Sequence, residues 1–122
     1  MSKYSIGEIY DVEVEFDERD GRAKTRPVVI IDVKNGDPIV VLVAALTGQG
    51  PKNPPTFFDQ YKVALKDWKQ AGLKKESFVK SSKTYTFDAS SLRTYRGTLS
   101  EEDLLMVISN VSNNAESFKL SN

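Results

Sequence analysis

The chain has 122 residues and a mass of 13.6 kDa, with 17 basic against 17 acidic side chains and neither cysteine nor histidine. That length supports one domain, 1–122, with its own core and little room for a second lobe. The missing cysteines exclude a disulfide framework and a thiolate metal site. The missing histidines remove the commonest remaining metal ligand and proton shuttle, so catalysis would have to run on Arg, Lys, Asp, Glu, Tyr, Ser or Thr.

Met1-Ser2-Lys3-Tyr4 carries no apolar leader core, and the longest apolar run, Ile39 to Leu46, is far too short for a membrane span. A cytoplasmic protein without a membrane partner is the expectation. The zero net charge hides an asymmetry: residues 1–20 hold two basic and seven acidic groups, and residues 62–96 hold nine basic and three acidic ones. If folding keeps these blocks apart, the basic one can attract a polyanion.

In chain order, Tyr10, Val12, Val14 and Phe16 alternate with Asp11, Glu13 and Glu15, the period of a strand with one wet face. Residues 17–24 are too charged to bury and read as an exposed loop. Val28–Lys34 and Ile39–Thr47, separated by Asn35-Gly36-Asp37-Pro38, read as a hairpin of two largely buried strands. Arg26 at the mouth of the first and Thr47 at the exit of the second can meet at one rim, an arrangement suited to phosphate. Residues 48–55, rich in glycine and proline, are loop.

Tyr61–Leu65 reads as a short strand, followed by a helical turn around 67–71 that Gly72 can end. Ser77–Asp88 reads as one long strand with Phe78, Lys80 and Ser82 on one face. Ser100-Glu101-Glu102-Asp103 resembles a capping box opening a helix from Glu101 to Ser112. Leu104, Ile108 and Val111, with Leu105 and Val107 beside them, form its apolar stripe, and residues 113–122 read as a frayed tail. The sum is a mainly β fold, a small, strongly bent antiparallel sheet or barrel with a short mid-chain helix and a C-terminal helix.

Five blocks now stand in order: Gly7-Glu8-Ile9-Tyr10, Lys24-Thr25-Arg26-Pro27-Val28-Val29-Ile30, Ala45-Leu46-Thr47-Gly48-Gln49, Ala71 to Val79, and Gly97 to Leu104. Together they resemble the PemK/MazF family, the toxins of toxin–antitoxin pairs. The resemblance implies an SH3-like barrel, a homodimer, and an endoribonuclease that cuts single-stranded RNA without metal or other cofactor. It also implies a cognate antitoxin, expected here to be acidic and partly disordered. It places Arg26 and Thr47 in the active site, with Asp20 as the nearest match to an acidic loop residue. Many relatives have an arginine and, two residues later, an aspartate where this chain has Lys80 and Ser82.

The catalytic candidates are therefore Arg26, Thr47, Asp20 and Lys80, and the candidate RNA contacts are Arg22, Lys24, Gln49, Phe57, Ser82 and Lys83. Cleavage by the 2′-hydroxyl needs a base, positive charge around the phosphorus, and an acid for the 5′-oxygen. A guanidinium suits the second task, and a threonine hydroxyl can hold the phosphate. Serine is a poor base, which leaves Asp20 or Glu18, or catalysis by positioning and charge alone. Trp68 and Phe78 read as core, whereas Phe57 and Phe58, in a loop, suit base stacking or a dimer contact. The competing reading is a binding protein on the same scaffold: a decayed RNA binder or a CcdB-like inhibitor of a protein target.

Overall fold

The computed structural model describes residues 3–14 and 24–114. Within them lie seven strands, β1 (Glu8–Val14), β2 (Lys24–Lys34), β3 (Val40–Thr47), β4 (Lys62–Ala64), β5 (Phe78–Lys80), β6 (Tyr85–Asp88) and β7 (Leu92–Thr98), and one α-helix, α1 (Glu101–Asn114). All pairings are antiparallel, in the order β4-β5-β3-β2-β1-β7, with β6 also on β3. Among the described residues β4 and β7 do not pair, so the bent sheet is not a closed barrel.

The unbroken apolar runs of β2 and β3 are explained by burial on both faces. Val29, Ile31, Leu42, Ala44 and Leu46 face a core closed by Val107 and Val111 of α1. Val28, Ile30, Val41 and Val43 face a second core closed by Ala89 and Leu92, where the sheet bends over itself. Bending is assisted by a register shift in β2/β3 between Ile30 and Asp32 and by two shifts in β1/β7.

Several expectations need correction. β1 has no wholly wet face: Asp11 is buried and pairs with Arg96 of β7, its Oδ2 accepting from Nε at 2.8 Å and lying 2.6 Å from Nη2. β7 itself was not expected, because its exposed Arg93, Thr94, Tyr95 and Arg96 conceal the strand period. The mid-chain helix is only a run of turns over 66–72, in which Ala71, Gly72 and Leu73 N–H donate to the carbonyls of Asp67, Lys69 and Trp68, and Gly72 ends it at φ 87°. The capping box is half formed. Ser100 Oγ accepts from the Asp103 N–H at 3.2 Å, but the Asp103 carboxylate turns away to accept from the N–H groups of Lys66 and Asp67 at 3.0 and 2.8 Å. It thereby pins the 66–72 turn to the start of α1. The helix runs on to Asn114, and Leu105 points outward rather than joining the stripe. Phe16 and the 17–23 loop lie outside the described residues.

The long strand expected over 77–88 is two strands on the same edge of β3. β5 pairs at Leu46 and Thr47, β6 at Val40 to Val43, and residues 81–84 bulge out between them. Ser81 is the cause: fully buried, it donates both its N–H and its Oγ–H to the Tyr61 carbonyl (2.9 and 2.6 Å), and its Oγ accepts from Asn114 Nδ2 at 3.0 Å. Ser82 therefore reaches the site from a turn, not from strand alternation with Lys80.

Candidate functional site

That bulge forms one wall of a cavity of about 400 Å³. The end of β3 supplies the floor, with Thr47 and the following Gln49. The Thr47 hydroxyl oxygen accepts the Gln49 N–H at 3.1 Å, which leaves its own proton to be directed at a ligand. The opposite wall is the loop 50–61, ending in a 3₁₀ turn over Phe57–Tyr61. β4 and β5 contribute Lys62 and Lys80, which stand directly opposite one another, and the bulge contributes Ser82 and Lys83.

The loop wall is held by Asp59, 4 % exposed. Its carboxylate accepts from the N–H groups of Lys52 (3.0 Å) and Thr56 (2.7 Å) and pairs with the Lys62 ammonium at 2.9 Å. The Lys52 N–H, then the Thr56 N–H, then Lys62 hold Asp59 well below the usual carboxylate range. Fully ionised and saturated with donors, it is no candidate for a base. It is also the one carboxylate among the described residues lining this cavity, against the lysines Lys52, Lys62, Lys80 and Lys83.

Lys80 differs from Lys62, whose ammonium is paired with Asp59. Among the described residues the Lys80 ammonium has no hydrogen bond or ion pair. Although the residue is exposed overall, its pKa is lowered first by partial loss of water around the ammonium, then by the charges of Lys62 and Arg26. Such a cation lacks an anion and is well placed to take a phosphate. The influence of Arg26 fixes its neighbourhood: it is exposed on β2 at the cavity's edge rather than in its lining. The β2/β3 ladder ends at Val28–Ala45, two residues short of Arg26 on one strand and of Thr47 on the other. Lys83 lies 5.2 Å over the ring of Tyr85, another lining residue.

Thr47, Gln49, Lys80, Ser82 and Lys83 are thus brought together, with Arg26 at the rim. Lys24 is exposed at the start of β2, and Phe57 lines a neighbouring cavity instead. Asp20, Glu18 and Arg22 lie outside the described residues. Sequence reasoning missed Lys62, Thr56, Asp59 and Tyr61. Thr56 and Asp59 had a legible signal, the three-residue spacing of a capping box, whereas Lys62 depended on the β4/β5 register.

Residues 5–114 match the family described as PemK-like, MazF-like toxin of type II toxin–antitoxin system. The chain belongs to that family. Solved structures similar to it include the Mycobacterium tuberculosis toxin MazF-mt6, at 20% identity, with 87% of this chain and 93% of that one covered and a TM-score of 0.62. An endoribonuclease in complex with its cognate antitoxin, from a mycobacterial species, is 16% identical over 93% of each chain, with a TM-score of 0.60. A MazE–MazF structure from Deinococcus radiodurans is 13% identical over 90% of this chain and 94% of that one, with a TM-score of 0.62. No curated protein sequence matches significantly.

Proposed function

We propose that the protein is an endoribonuclease toxin that cuts single-stranded RNA by attack of the 2′-hydroxyl on the adjoining phosphate. The observation that carries this reading is the convergence of Thr47, Lys80 and Lys62 on one cavity whose edge carries Arg26, an assembly of phosphate ligands on a toxin-family scaffold. The 2′-oxygen forms its bond to phosphorus as the bond to the 5′-oxygen breaks. The 2′-hydroxyl proton passes to a base, the 5′-oxygen takes up a proton, and the products are a 2′,3′-cyclic phosphate and a 5′-hydroxyl.

Charge accumulating on the phosphoryl oxygens is met by the planar donors of Arg26 and by the unpaired Lys80 ammonium. The Thr47 hydroxyl, fixed by the Gln49 N–H, holds the phosphate in line. The base is Glu18 or Asp20 of the acidic segment before β2, or the site works by positioning and charge alone, and Ser82→Asp distinguishes the two. In cells an acidic, partly disordered antitoxin lies over the same lysines; an endoribonuclease among the similar structures is held in complex with its cognate antitoxin. One observation favours the competing reading of a decayed RNA-binding protein: Asp59, the cavity's one carboxylate among the described residues, is fully engaged.

The deciding experiment incubates purified protein with a long RNA in the presence of EDTA and maps the ends. Cleavage leaving 2′,3′-cyclic phosphates, lowered about 10²-fold in a folded Arg26→Ala protein, is the expected result. RNA binding without cleavage establishes the binding protein instead.

A further inference from the structure

A second cavity, of about 580 Å³, adjoins the first and shares four of its walls: Phe58, Tyr61, Ser82 and Lys83. Phe57 is added on its outer side, and Asn114 at the end of α1 closes it. The two spaces are thus one groove with Phe58 and Tyr61 between them. Phe57 and Phe58 are each 67% exposed, although a pair of adjacent phenylalanines in water costs the chain solubility without adding to its core. They are not loose. Phe57 meets Phe58 at 5.1 Å and 81° and Tyr61 at 5.9 Å and 76°, so the three rings brace one another edge to face. The 3₁₀ turn carrying them is fixed beneath by the bonds of Asp59 to Lys52, Thr56 and Lys62.

We propose that this second cavity is a nucleobase subsite, in which a base adjoining the scissile phosphate stacks on Phe58, with Lys83, shared by the two spaces, drawing in the charged backbone of the strand. The inference rests on the reading of the first cavity as the RNA-cleaving site. Three features of the groove select a nucleic-acid strand over an apolar protein segment. Its lining combines aromatic rings with lysines, the second space adds the polar side chains of Ser82, Lys83 and Asn114 to the rings, and it is continuous with the anion-seeking cavity. A strand with one phosphate in the first space has its neighbouring base at the second. The bracing of the rings lowers the ordering cost of stacking.

The test uses a short oligonucleotide spanning a mapped cut, in which each flanking base in turn is replaced by an abasic spacer. With the wild-type protein, removal of one flanking base should lower kcat/KM by about tenfold, the scale of one base–aromatic stack, and with Phe58→Ala the same removal should cost nothing further. Phe58→Leu, which keeps apolar bulk but loses the π-face, should behave like Phe58→Ala. Because Phe58 is mostly exposed, both variants should keep the wild-type melting temperature. The proposal is overturned if every abasic position is as costly in Phe58→Ala as in wild type, or if the variant changes the oligomeric state, which would make the rings a subunit contact. Fluorescence anisotropy with the 2′-deoxy version of the strand reads the subsite without cleavage. Tighter binding by wild type than by Phe58→Ala, lost with the abasic strand, sustains the subsite even if no RNA is cut and the nuclease reading fails, whereas equal binding overturns it.

Discussion

At the scale of single residues, Lys80 sets its site against stability, though only slightly, because the residue is exposed and solvent screens its charge. A lysine whose pKa is lower in the folded than in the unfolded chain costs stability wherever the unfolded chain is protonated. That cost is present at neutral pH and disappears as the pH rises past the unfolded value of about 10.4. Lys80→Met should therefore raise the melting temperature at pH 7 in low salt, with the gain shrinking above about pH 10, while lowering RNA cleavage about 10²-fold. A melting temperature that falls at pH 7 would refute this account. Ser82 poses the complementary question. It lines the cavity with Lys80 but from the 81–84 bulge, so an added carboxylate would face the lysines across the cavity. Ser82→Asp should raise the single-turnover cleavage rate by up to about 10²-fold by supplying a base. An unchanged rate would place the base in the acidic segment before β2.

At the scale of elements, the placement of the 66–72 turn against β7 depends on two glycines. A Cβ on Gly97 would lie 1.9 Å from the Ala71 carbonyl oxygen, and one on Gly72 would lie 2.3 Å from the Arg96 carbonyl oxygen, with φ already at 87°. Backbone meets backbone here, so nothing flexible can yield. Gly97→Ala should destabilise the fold by about 1–3 kcal/mol, read from chemical denaturation, and an unchanged midpoint would contradict the packing described. The same contact bears on function, because β7 carries Arg96 to its ion pair with Asp11, beside the strand that holds Arg26 in register. Local pattern identified most elements: the β2–β3 hairpin, β4 and α1 each lie within a few residues of their expected limits. It failed at β7, where charge masks the period, and at 81–84, where one buried serine hydroxyl breaks a strand that alternation alone continues.

At the scale of the whole molecule, β4 and β7, which end the sheet among the described residues, and the exposed Leu105 and Met106 on α1 leave surface suited to a second subunit. We expect a two-fold dimer, and sedimentation at micromolar concentration that finds only the 13.6 kDa species would exclude it. The two charge blocks are not kept wholly apart, since Arg96 of the basic middle pairs with Asp11 of the acidic start, but Lys62, Lys80 and Lys83 do share one cavity. The sequence by itself determined the family, through ordered blocks, and the mainly β architecture, through apolar runs whose length and period local sterics and burial impose. It also determined the absence of histidine and cysteine chemistry. Only the tertiary structure decided that Asp59 is spent as a clamp, that Lys62 stands opposite Lys80, that Arg26 is near enough to bias Lys80, and that Phe58 divides two spaces. Each of those facts joins residues from different strands or loops. Their distances follow from strand register and from the 81–84 bulge, which are settled by packing over the whole sheet rather than by any local pattern.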